Sequence, residues 1–94
     1  MMTDLLTRLE AAPEGSRAEH ITLFREVEDF LGHDCPMDFR RHVSQAERSG
    51  SDSRAMGYLF LAALTLYKNR PEVISSDPRL VCIDALRKLG HENR

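Results

Sequence analysis

His33 and Cys35 stand two positions apart, and either side chain could ligate a metal or take part in nucleophilic catalysis. A structural zinc site wants four thiolate or imidazole ligands, usually supplied as two close pairs. His33 and Cys35 make one pair, whereas His42, Cys82 and His91 are scattered and make no second. Cys82 falls in an apolar arc, where a free cysteine acts as a small hydrophobe. The sequence is therefore read as holding no metal and no cofactor. Catalysis is the other chemistry open to the pair. Cys35 sits where a helix begins, and the positive end of a helix lowers a thiol pKa. Yet no nucleophile elbow surrounds it, the glycines do not gather into a phosphate loop, and no two carboxylates are set for acid/base work. We read the chain as non-enzymatic, with a small cysteine-dependent enzyme centred on Cys35 as an alternative.

Charge gives the next candidates. The 94 residues carry 13 Lys and Arg against 15 Asp and Glu, a net charge of −2 that argues against a chain built wholesale to coat nucleic acid or an anionic membrane. The charges are unevenly placed: residues 1–34 hold eight acids and three bases, residues 35–70 three acids and six bases. Two helix faces follow, either of which could meet a partner. One is acidic (Glu19, Glu26, Asp29) and the other basic (Arg40, Arg41, Arg48). Steering by a basic partner surface favours the first, and an acidic partner or RNA would favour the second. Glu28 and His20 fall inside an apolar arc, so Glu28 is expected to find a cation, taken to be one of the arginines of the third helix.

These residues need elements to position them, and every long segment has a helical period. A first helix over about 4–12 lines up Leu5, Leu6, Leu9 and Ala12, and Pro13 and Gly15 stop it. A second opens on the capping box Ser16-Arg17-Ala18-Glu19 and turns Leu23, Phe24, Val27, Phe30 and Leu31 inward before Gly32. A third begins at Pro36 and buries Phe39, Val43 and Ala46. The fourth, over about 52–68, is apolar almost all round, which places it in the middle of a bundle with Leu59, Phe60, Ala63 and Leu66 at the centre. Gly57 inside it predicts close approach of a neighbouring helix. A fifth starts on Asp77-Pro78 and ends at Gly90; Glu72-Val73-Ile74 before it reads as a short extended segment. The expectation is one all-α domain over 1–94, a compact bundle of about five helices around the fourth. The third and fourth, joined by Ser49-Gly50-Ser51-Asp52, have the outline of a helix-turn-helix, but the fourth offers only Arg54, Thr65 and Lys68 to a base edge.

Two stretches carry a resemblance. The opening Met2-Thr3-Asp4-Leu5-Leu6-Thr7-Arg8-Leu9-Glu10-Ala11-Ala12-Pro13-Glu14-Gly15-Ser16-Arg17 resembles the start of small proteins of unknown function from proteobacterial phages and prophages, some of which look like the phage α/β/α sandwich family. The closing Leu80-Val81-Cys82-Ile83-Asp84-Ala85-Leu86-Arg87 is similar to the C-terminal helix of that group; together the two cover about a quarter of the chain. That family has antiparallel strands in its middle and this chain reads as helical there, so the sandwich fold is not carried over and there are no catalytic residues to transfer. The resemblance implies a phage or prophage accessory protein. Proteins of that kind and size look like inhibitors of host machines, anti-CRISPR proteins among them. The partner expected is a host or phage protein complex, with a nucleic-acid-associated domain using the basic face as the alternative and the oligomeric state open. Met1-Met2-Thr3-Asp4 has no signal-peptide pattern and no apolar run reaches bilayer length, which predicts a cytoplasmic protein away from membranes.

Overall fold

Leucines spaced to share one helical stripe make the first element of the computed structural model, which describes residues 2–12, 17–69 and 75–92. The elements are α1 (Met2–Ala11), α2 (Arg17–Leu31), a 3₁₀ turn (Gly32–Asp34), α3 (Met37–Arg48), α4 (Asp52–Leu64) and α5 (Pro78–Glu92). No strand occurs among the described residues. The Ser16 end of the capping box, Pro13, Gly15 and Glu72-Val73-Ile74 lie outside them.

Helix α4 packs against α3, α5 and α2, while α1 lies across α2 and α5. Its inward arc is Ala55, Leu59, Ala62 and Ala63, four small or medium side chains that let its neighbours approach. Around it close Phe24 and Val27 of α2, Phe39 and Val43 of α3, and Cys82 and Leu86 of α5, all buried. The all-α bundle with an apolar fourth helix at its centre is thus the observed fold.

Each helix end has a local cause. Gly32 has φ of +54°, a conformation that costs a residue without Cβ little, and there α2 gives way to the 3₁₀ turn. Pro36 caps α3 from outside, one position earlier than a first-turn proline, and its carbonyl accepts from Arg40 N at 3.3 Å. The Ser51 hydroxyl accepts from Arg54 N at 3.2 Å and caps α4. The Asp77 carboxylate accepts from Arg79 N at 3.0 Å and caps α5.

The structure departs from the sequence expectation at five points. Helix α4 ends at Leu64 rather than near Lys68: Leu66 N and Tyr67 N bond the carbonyls three residues back, at 3.2 and 3.3 Å, and the Thr65 hydroxyl donates to the Ala62 carbonyl at 2.6 Å. Helix α5 runs through Gly90, which keeps a negative φ. Phe60 is half-buried, because it stands 100° from the inward-facing Leu59, and Phe30 is 42% exposed at the edge of the arc set by Phe24 and Val27. Gly57 is exposed, and a Cβ built there would meet nothing within 4 Å. No helix crowds it. Gly57→Ala is therefore expected to stabilise the protein by about 0.5–1 kcal/mol, since it removes a helix-interior glycine without a clash. A urea midpoint that falls in this variant would show that a neighbour does occupy that face.

Candidate functional site

The two charged faces are less free than their sequence suggests. Glu26 is held by both terminal nitrogens of Arg8, one at 2.7 Å from Oε1. That leaves Glu19 and Asp29 as the exposed acids of the face. On α3, Arg41 pairs with Asp38 at 2.9 Å, and Arg40 donates to the Gly32 carbonyl at 3.0 Å. Arg48 is exposed at the α3–α4 corner. Glu28 is buried, as its place in the arc predicts, but its cation comes from its own helix rather than from an arginine of α3. Arg25, three residues back, puts Nη1 at 2.9 Å from both carboxylate oxygens. The same guanidinium reaches α3, bonding Ser44 Oγ at 3.2 Å and the Glu47 carboxylate. An acid of α3 thus completes the link. His20 is buried on the same side of α2.

Cys35 stands before the cap of α3 rather than in its first turn. Its Sγ donates to the Pro36 carbonyl at 3.7 Å, and burial pushes its pKa up, against a smaller opposite pull from Arg40. An activated nucleophile needs the reverse shift. The Cys82 thiol, fully enclosed, is pushed up to about 12 by burial. Both thiols are expected to react slowly with a disulfide reagent at neutral pH in the native protein and quickly once it is unfolded. Rapid native-state labelling of Cys35 would reopen catalysis at that residue. Among the described residues no three His, Cys, Asp or Glu side chains converge as metal ligands would.

A cleft of about 590 Å³ lies where the ends of several elements meet. Buried Leu66 and half-buried Leu31 and Leu89 supply much of its apolar lining, with Phe30 and Tyr67 beside them. Asp34 and Lys68 bring one charge of each sign to it. The Tyr67 hydroxyl donates to Asp84 at 2.6 Å and lies 3.3 Å from the Val81 carbonyl, neither of which lines the cleft. Burial and the Asp84 carboxylate push the Tyr67 pKa up, and the same bond holds the Asp84 carboxyl below its usual range. Tyr67 therefore lends the cleft aromatic surface and no acid/base group. Sequence periodicity assigns Phe30 and Leu31 to the interior. A phenylalanine at the edge of an apolar arc, just before a glycine stop, was the signal that could have marked the cleft.

The fold and this cleft define a small all-α, single-domain bundle that presents apolar surface at one set of helix ends. Comparison with protein-family models, curated proteins and solved structures returns no match for this chain. No helix among the described residues is long and apolar enough to cross a membrane.

Proposed function

We propose that this protein is a non-enzymatic interaction module that binds a partner protein through the cleft beside Phe30. The observation that carries the reading is Phe30 itself: a phenylalanine 42% exposed on the wall of a cleft of about 590 Å³. Apolar and aromatic groups around a pocket are what an anchoring side chain of a partner fills, and a few such anchors supply most of the affinity of a protein–protein contact. Met37, 85% exposed, begins α3 directly after Pro36 of the cleft and adds adaptable apolar surface. Asp29, next to Phe30 in the chain, and Glu19 keep the acidic face as a steering rim. With the phage-like opening and closing segments, this supports a phage or prophage accessory protein that occupies a surface of a host machine, in the manner of an anti-CRISPR inhibitor. A cysteine-dependent enzyme is the weaker reading, because burial raises the Cys35 pKa.

Affinity capture from bacterial lysate supplies the partner, and the purified pair then tests the surface. Phe30→Ala is expected to weaken binding by at least about tenfold, as loss of an anchor does. Asp29→Lys is expected to slow association at low salt and to matter little at high salt. Normal binding by Phe30→Ala, with loss in Arg40→Glu/Arg41→Glu, would move the interface to the basic helix.

A further inference from the structure

At the α3–α4 corner, Gln45, Arg48, Ser49, Gly50, Arg54 and Tyr58 line a shallow depression of about 310 Å³. We infer that this depression is a binding site for a phosphoryl group, supplied in the first instance by a small phosphomonoester. The partners of the cations single it out. Most described arginines are engaged within the chain, as Arg8 is with Glu26, Arg17 with Asp52 and Arg87 with Glu10, and Arg40 bonds a carbonyl. Arg48 and Arg54 are exposed, and neither guanidinium has an ion pair or hydrogen bond among the described residues. Both line this depression, and no carboxylate does.

The other lining groups are donors as well. Gln45 Oε1 accepts from His42 Nδ1 at 2.8 Å, which leaves the Gln45 amide hydrogens for an acceptor elsewhere. The Tyr58 hydroxyl has no hydrogen bond among the described residues. The spacing explains the assembly: Gln45 and Arg48 lie three apart on the last turns of α3, and Arg54 and Tyr58 four apart on the first turns of α4. The nearby acid, Asp52, is directed to Arg17 Nη1 at 3.5 Å.

Donor number favours phosphate over carboxylate. Two guanidinium forks, an amide and a phenol exceed what two carboxylate oxygens can accept, and they suit three phosphoryl oxygens carrying about −1.5 to −2 charge. Two unpaired cations on a chain of net charge −2 make a single site rather than a stripe along a nucleic-acid backbone.

The test is an NMR titration of the full chain with inorganic phosphate, run against acetate at matched ionic strength. Phosphate is expected to shift the Gly50 amide and the Arg48 and Arg54 side-chain signals saturably, and acetate to do so far less. Arg48→Gln/Arg54→Gln, with an unchanged thermal melt, is expected to weaken phosphate binding at least about tenfold, because charge-assisted bonds are lost. Labelled oligothymidylate separates the sources. Phosphate binding without oligothymidylate binding supports the phosphomonoester; oligothymidylate binding that needs both arginines overturns it in favour of a backbone phosphodiester, whose two free oxygens share one charge. Equal response to acetate, absence of saturable shifts, or full binding in the double variant overturns the inference.

Discussion

Phe24→Ala is expected to destabilise the protein by about 3–5 kcal/mol, the range for removing a fully buried aromatic ring. Phe24 has no solvent exposure and stacks on Phe39 with ring centroids 5.7 Å apart and planes 7° from parallel. The pair clamps α2 to α3, so truncation forfeits the area of one ring, the stacking of both and the packing around a new cavity. For a domain of this length, with stability of about 5–14 kcal/mol, that is a large fraction of the total. Urea denaturation should show a lower midpoint at an unchanged slope. Phe60→Ala, from a half-buried ring at the rim of α4, should cost markedly less. The opposite order of the two variants would mean that the inward arc of α4 passes through Phe60 and not Leu59.

That comparison also shows how far the sequence could be read. A helix period separates inside from outside to within one arc, and it placed Phe24, Val27, Val43 and Leu59 correctly because each lies at an arc's centre. At the arc's edge the period has no power: Phe30 and Phe60 carry the same hydrophobicity as Phe24 and sit at its margin. Gly57 was misread for a related reason. A glycine in an apolar run has two physical readings, and only the neighbouring helices decide between them. Apart from Phe30, the walls of the cleft were illegible, because it is made between elements from residues such as Leu66 and Leu89 that are far apart in sequence and meet only in the fold. At the end of α4 the backbone tightens to bonds three residues back and the Thr65 hydroxyl bonds the Ala62 carbonyl, a local change that leaves no mark on the apolar period. Charged residues were legible as faces but not as partners, since Arg8 reaches Glu26 across 18 positions.

The Arg25–Glu28 pair is such a partnership with one member buried. Arg25→Met is expected to cost about 2–4 kcal/mol, because it strands the Glu28 carboxylate, whose side chain is only 5% exposed, and leaves Ser44 and Glu47 without their guanidinium. The range stays below the full figure for a buried pair because Arg25 is itself 37% exposed and water screens part of the interaction. Glu28→Met alone should cost less, since Arg25 keeps Glu47 and can reach solvent. The double variant Arg25→Met/Glu28→Met should recover most of the loss, as apolar replacements of matching size fill the site without an orphaned charge. The resulting cycle should then show a coupling energy above about 1 kcal/mol, the signature of residues in direct contact. Three variants whose costs simply add would mean that Glu28 reaches solvent unaided and that the tie between α2 and α3 rests on the Phe24–Phe39 stack.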